Sequence, residues 1–331
     1  MVFSSLIEKL SRYYRRGMSV VSDVEQTPLL DETALQELAH YAQALPWSLL
    51  EFQRPSAHPL IGETLSFHRG RGFEFEENRA YQAGDEPRLL NWRLYARSGE
   101  LYTKVFTEER RPQVFLLVDR RAAMRFATHR QLKAALAAKI AACYAYQSQH
   151  QALAVGGLIL NQMPEWFSPA RGEMSLDALV QSLAAPCPPL AFEADQPDFE
   201  ESLRLLMHRL PAGSFVLLVS DFCDFNPDAA APVLQQLAML HTVHAIQILD
   251  PVEQRLPAAG DFLIADDASL QPLRIDAQDE VQCRLYEEAF NDGQAKLAAC
   301  FHSCNIPFKT CTTQQDVEDC LDHADDAAVE H

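Results

Sequence analysis

The sequence predicts an α/β protein, a mostly parallel sheet with helices on both faces, preceded by a smaller α+β module. Three observations carry this. Gln113 to Val118 (QVFLLV), Ser214 to Ser220 (SFVLLVS) and Val243 to Leu249 (VHAIQIL) are strand-length, largely apolar runs, as central strands covered on both faces require. Helix-patterned stretches separate them, and that alternation builds a parallel sheet. Each run leads into an acidic residue, Asp119, Asp221 or Asp250, at the strand end where open α/β sheets bind ligands.

Taken in order, residues 1 to about 30 form an N-terminal segment with one short amphipathic pattern, Leu6, Leu10, Tyr13 and Tyr14, beside Lys9, Arg12, Arg15 and Arg16. A marginal, frayed helix is expected there. Asp31 to Ala44 starts acidic, spaces Leu35, Leu38 and Tyr41 helically and stops before Pro46, so it reads as a helix. It opens the smaller module, residues 31–110. Within that module Leu89 to Ala96 reads as a helical turn, Ser98-Gly99 as a break and Leu101 to Phe106 as an alternating strand. The larger domain, residues 111–323, continues with an Ala-rich helix at Gln131 to Gln147 and a strand at Leu153 to Leu160. A loop at Pro164 to Gly172 and helices at Ser175 to Leu183 and Phe199 to Leu210 follow. Pro227 opens the helix to Leu240, placed where a first-turn residue needs no amide donor. Phe262 to Ala265 and Leu273 to Ile275 are short strands, Asp279 to Cys300 a long helix, Ile306 to Cys311 a last strand and Thr313 to Leu321 a closing helix. The acidic tail, 324–331, is expected to fray.

With 331 residues and 48% apolar composition the chain can bury a sizeable core. A formal net charge of −18 argues against nucleic acid or an anionic membrane surface as the main partner. Eleven arginines nevertheless lie between Arg69 and Arg125. No apolar run reaches membrane-spanning length and the N-terminus is too polar for a secretory segment, so no integral span and a cytoplasmic location are expected. Eight cysteines suit a reducing compartment.

The run Arg79, Tyr81, Gly84, Asp85, Arg88, Trp92, Ala96, Arg97, Gly99, Lys104, Phe106 and Glu109, followed by the strand ending in Asp119, resembles the bacterial family called domain of unknown function 58. Asn91 departs from the acid that family places before its tryptophan. The second half of that family is similar to von Willebrand factor A domains. The resemblance therefore implies a von Willebrand factor A-like, Rossmann-like sheet, a divalent cation such as Mg²⁺ held by an Asp-x-Ser-x-Ser motif with a later Thr and Asp, and partnership with MoxR-type AAA+ ATPases in assembly or stress systems.

Asp119, Arg120, Arg121, Ala122 and Ala123 stand where that motif would, so both hydroxyl ligands are missing. The loop that would offer a threonine holds only Ser168. Asp119 and Asp221 are expected to converge, and two adjacent carboxylates without a cation repel. A guanidinium offers fixed donors that bridge such a pair. Arg121 or Arg120 in place of the metal, an unusual but intact cation site, and a merely solvent-facing arginine are the alternatives. Expected, then, are a degenerate adhesion site with no metal, a protein partner, and a partner surface at Arg79, Tyr81, Asp85, Arg88, Trp92 and Arg97, unless those charges only form an internal salt-bridge web.

No phosphate-cradling loop, dinucleotide fingerprint, nucleophile elbow or zinc-protease motif occurs, so no enzyme is expected. A hydrolase using Ser220 and Asp221 is the catalytic alternative; a cation-dependent adhesion module is the other. Cys300, His302, Cys304, Cys311 and Cys320 lack the paired spacing of a zinc site and read as core cysteines.

Overall fold

The computed structural model describes residues 27–45, 73–82, 90–108, 113–128, 130–188, 196–257, 261–265 and 272–321. In chain order the elements begin with α1 (Glu32–Ala44), β1 (Phe73–Ala80), α2 (Trp92–Ser98), β2 (Tyr102–Glu108) and β3 (Gln113–Asp119). Then come α3 (Lys133–His150), β4 (Ala154–Leu160), β5 (Glu165–Ala170), α4 (Glu173–Ala184), α5 (Phe199–Arg209), β6 (Phe215–Ser220), α6 (Pro227–Leu240) and β7 (Thr242–Leu249). The chain ends with α7 (Pro251–Gln254), β8 (Asp261–Ala265), β9 (Pro272–Asp276), α8 (Glu280–Ser303), β10 (Phe308–Thr312) and α9 (Val317–Leu321). Two compact units result, one within residues 55–111 and one from the chain on either side of it.

In the larger unit six strands form one sheet in the order β10-β7-β6-β3-β4-β5. Only β5 runs antiparallel to its neighbour. This is the expected α/β architecture, a mostly parallel sheet with helices on both faces. Strand alternation sorts the core into two faces. Val114, Leu116 and Val118 of β3 join Phe215, Leu217 and Val219 of β6 under α1, α3, α4 and α9. Phe115 and Leu117 join Val216 and Leu218 under α5, α6 and α8. The Ala-rich α3 is buried nearly all round, as a helix without a polar face must be.

Three expectations need correction. Helix α1, capped by Asp31 accepting from Ala34 N at 2.7 Å, packs on α3 in the larger unit and does not open the smaller one. Leu30, Leu38 and Leu45 enter the same core as the sheet. The expected loop at Pro164 to Gly172 contains β5, paired from Val155↔Ala170 to Ile159↔Glu165. Pro169 hid it, but an edge strand tolerates proline. The closing helix begins at Val317, because Gln315 and Thr312 form a turn before it and Thr313 Oγ1 donates to Asp250 at 2.8 Å.

The four cysteines weighed as zinc ligands are core residues. Cys300 and Cys304 lie on one face of the sheet, Cys311 and Cys320 on the other, so these four cannot surround one ion.

In the smaller unit β1 pairs antiparallel with β2, from Phe73↔Glu108 to Ala80↔Tyr102, with an irregularity between Phe75 and Glu77. Strand β1 is not among the strands expected from the sequence, although Phe-Glu-Phe-Glu alternates with period two. Asn91 caps α2, its Oδ1 accepting from Leu94 N at 3.2 Å. Gly99 ends that helix at φ 73°, a conformation glycine adopts without strain. The amphipathic pattern before residue 27, Gly84, Asp85, Arg88 and the acidic tail lie outside the described residues.

Candidate functional site: a crevice lined by internal ion pairs

Strands β3 and β6 are neighbours, so Asp119 and the pair Ser220-Asp221 leave the sheet side by side. Past Asp119 the chain bends into a short 3₁₀ turn, Ala122–Met124, and Arg121 folds back over the strand end. Its Nε and Nη2 donate to Asp119 Oδ1 and Oδ2 at 3.0 and 2.8 Å. Its Nη2 and Nη1 also donate to Asp224 Oδ1, at 2.9 Å, and Oδ2. Asp119 takes two further bonds, from Arg121 N at 2.9 Å and Ser220 Oγ at 2.7 Å, so both its oxygens are doubly engaged. Pro197 O accepts from Nη1 at 3.3 Å, and the Phe199 ring lies 5.6 Å below the guanidinium carbon. Burial opposes the charge on Arg121, but Asp119 and Asp224 outweigh it and hold the guanidinium protonated above its usual range.

Asp221 does not share that cation. Its Oδ2 accepts from Lys133 Nζ at 2.7 Å and its Oδ1 from Cys223 N at 3.2 Å. Lys133, the first residue of α3 and fully buried, also donates to Glu253 Oε1 at 2.6 Å. Burial disfavours its ammonium, yet the two carboxylates push its pKa above the ordinary lysine value. Burial would raise Asp221, and Lys133 reverses this and lowers it. Glu253 is left as the titrating member, pushed up by burial to about 7 despite Lys133. Its second oxygen accepts from Asp250 N at 2.8 Å, completing a capping box at α7. Asp250 in turn accepts from Thr128 N, Thr128 Oγ1, Val252 N and Thr313 Oγ1. The polar ends of β3, β6, β7 and β10 are thus tied together by side chains.

Other expected residues stand elsewhere. Arg120 turns away from Arg121, as adjacent residues do in extended chain, and its Nη1 and Nη2 donate to the carbonyls of Ser182, Ala185 and Pro186 at the C-terminus of α4. A cation there complements the helix dipole. Ala123 offers no donor or acceptor side chain. Ser168 sits midway along β5, level with Gly156 rather than with the Leu160 end opposite Asp119, and accepts from Trp166 Nε1 at 3.3 Å. In the smaller unit Arg79 stands opposite Thr103 and Tyr81 N donates to Leu101 O. Helix α2 buries none of its residues: Trp92 is 60% exposed, edge-on to Tyr95 at 6.3 Å, and Arg97 is exposed as well.

Residues 77–296 match the family model described as "Protein of unknown function DUF58". The chain belongs to the DUF58 family. Uncharacterised proteins of Mycobacterium tuberculosis and Mycobacterium bovis are 27% identical to this DUF58 chain over 259 residues, 78% of its length and 80% of theirs. Among solved structures, an aerotolerance-related membrane protein from Bacteroides fragilis is 10% identical with a TM-score of 0.38, covering 64% of this chain and 96% of that one. The conserved hypothetical protein BatB from Bacteroides thetaiotaomicron is 12% identical with a TM-score of 0.34, covering 57% and 98%. A von Willebrand factor type A protein from Catenulispora acidiphila is 12% identical with a TM-score of 0.30, covering 45% and 35%.

The divalent cation that the family resemblance implies does not fit the donors of this DUF58 chain. A magnesium-like ion requires accessible oxygens. Those of Asp119 accept from Arg121 and Ser220, and those of Asp221 from Lys133 and Cys223 N. Among the described residues no group of three or more His, Cys, Asp or Glu is arranged to hold a metal. Nor is any helix there long and apolar enough to cross a membrane.

Sequence reasoning reached Asp119, Arg121 and Asp221 but missed Asp224, Lys133 and Glu253. Two signals were available: the repeated Asp-Phe in Asp221-Phe-Cys-Asp224-Phe225, and a lysine sharing a helical face with Leu136, Ala137 and Ile140.

Proposed function

We propose that this chain is a non-enzymatic adaptor, cytoplasmic and metal-free at its crevice, that presents target proteins to a MoxR-type AAA+ ATPase in assembly or stress response. The observation that carries this is Arg121, whose guanidinium lies between Asp119 and Asp224 where a cation would otherwise neutralise acids at the end of the sheet. A cation supplied by the chain itself makes the crevice a degenerate adhesion site, available for protein contact without an added ion. The exposed Trp92, Tyr95 and Arg97 of α2 supply residue types that dominate interface energetics, and suit a second partner surface. Ser220 is fully buried, donates to Asp119 and accepts from Phe222 N at 3.0 Å, which supports a structural rather than a nucleophilic role for that hydroxyl.

Two measurements test the reading. Titration calorimetry with Mg²⁺ and Mn²⁺ should give no specific heat; micromolar binding lost in Asp119→Ala would return the site to cation-dependent adhesion. Affinity purification from the native cell should recover an AAA+ ATPase, with recovery reduced by Trp92→Ala. Absence of any ATPase, or turnover of an esterase or phosphatase substrate abolished by Ser220→Ala, would overturn the adaptor assignment.

A further inference from the structure

We propose that Asp224 is an internal stand-in for a carboxylate supplied by another molecule, and that the outer edge of Arg121 is a carboxylate-binding fork. This rests on reading the crevice as a metal-free contact site. The inner edge of the guanidinium is fixed, because Asp119 is 1% exposed and held from the other side by Ser220 at 2.7 Å. The outer edge differs. The side chain of Asp224 is 40% exposed, and it is the only carboxylate among the described residues on that edge. When Asp224 turns away, Nη1 keeps Pro197 O and Nη2 keeps Asp119, and one donor position on each nitrogen is freed.

The backbone need not move for this exchange. Phe222 and Phe225 flank Asp224, and both are buried in a cluster with Phe199 and Phe301, with ring centroids 5.1 to 6.0 Å apart. They pin the loop on either side while Asp224 points out of it, so rotation about two side-chain bonds releases the fork. The guanidinium keeps its orientation meanwhile, gripped by Asp119, Pro197 O at 3.3 Å and the Phe199 face.

Chemistry selects the ligand. A planar guanidinium edge matches a planar, two-oxygen anion. A monoanion replacing Asp224 leaves the local charge unchanged, whereas a phosphate dianion would add charge beside Asp119 and Asp221. A carboxylate meets both conditions, whether borne by a protein side chain or by a small acid. In the native chain Asp224 competes for the fork, so apparent affinity falls by the fraction of time the fork is open.

The test uses the full-length chain carrying Asp224→Ala. Thermal unfolding is followed while sodium acetate replaces sodium chloride at constant ionic strength. Saturable stabilisation by acetate is expected in the variant, at least about tenfold weaker in the native chain, and lost when Arg121→Gln is added. Acetyl-Gly-Asp-Gly-amide against its asparagine counterpart separates the sources: stabilisation by the aspartyl peptide identifies a protein side chain, stabilisation by acetate alone a small acid. Asp224→Asn, which keeps the shape of the side chain, repeats the measurement should the alanine variant fail to fold. Acetate acting no better than chloride in both variants would overturn the proposal. Acetate binding without ATPase recovery would reject the partner assignment alone; ATPase recovery without acetate binding would reject the exchange alone.

Discussion

Removing the guanidinium of Arg121 leaves Asp119 buried without its counter-charge. Breaking a buried pair by truncating one partner costs about 3–5 kcal/mol, more than the pair itself contributes. Arg121→Met is therefore expected to destabilise the fold by an amount in that range, and Asp119→Asn added to it to recover part of the loss. Urea unfolding of the native chain, both single variants and the double variant measures this; strict additivity would mean that the two groups do not interact. Glu253 makes a second residue-scale prediction, through pH. Its folded pKa, about 7, lies above the ordinary value of 4.5. The folded state therefore holds the proton more tightly, so this group's contribution is complete below about pH 4.5 and is lost as pH rises through about 7. Native stability should then fall by up to roughly 1 kcal/mol per pH unit across that window, and Glu253→Gln should flatten the decline. A pH-independent difference between the two proteins would show that Lys133 keeps Glu253 ionised throughout. At this scale the sequence disclosed which strand ends carry acids, because a strand's end is marked by its own apolar run. Which cation meets which acid was not legible, since Lys133–Asp221 and Arg121–Asp224 join residues 88 and 103 positions apart.

Elements were legible wherever their own pattern is strong. The buried strands β3, β6 and β7 and the helix opened by Pro227 follow from apolar runs and a proline at the first helical position. Strand β5 carries no such pattern, because an edge strand is half solvated and its Ser168-Pro169 reads as loop. What fixes β5 is its neighbour. A side chain at Gly156 would place its Cβ 2.5 Å from Phe167 O and 2.6 Å from Pro169 N. Both are backbone atoms, so β5 would have to move bodily to admit even a methyl group. Gly156→Ala is expected to cost about 1–3 kcal/mol, the range for overpacking. The loss should be local as well as global: amide exchange of residues 165–170 should rise more than that of β3, whereas a uniform rise would place the damage in the sheet as a whole. Losing β5 also bears on the site, because Glu165 at its start accepts from Asn161 Nδ2 at 2.8 Å and Ser182 Oγ at 2.6 Å, beside the α4 terminus that Arg120 holds.

At the scale of the molecule, the larger unit is assembled from two stretches of chain with the smaller unit encoded between them. Sequence order suggested otherwise, placing α1 with the module that follows it. The error has a physical origin. An apolar stripe such as Leu35, Leu38 and Tyr41 records that a helix face is buried but not what buries it, and α3 offers apolar surface on every side. The structure supplies the address: Leu30, Leu38 and Leu45 join the core beneath α3 and α4, and Leu29 N donates to Ala184 O at 2.9 Å. Each buried leucine is worth about 1.5–3 kcal/mol on transfer from water. A chain beginning at residue 46 should therefore lose several kcal/mol against one beginning at residue 27, and should expose α3 to solvent. Comparing those two truncations isolates α1. The shorter chain is expected to unfold at lower denaturant and to bind a hydrophobic dye in buffer, and equal midpoints would instead assign α1 to the smaller unit. The same pair of chains bears on the crevice, since Lys133 opens the helix that α1 covers. If α1 sets the position of α3, its removal should also displace the ammonium from Asp221 and Glu253, and the pH dependence assigned to Glu253 should change with it.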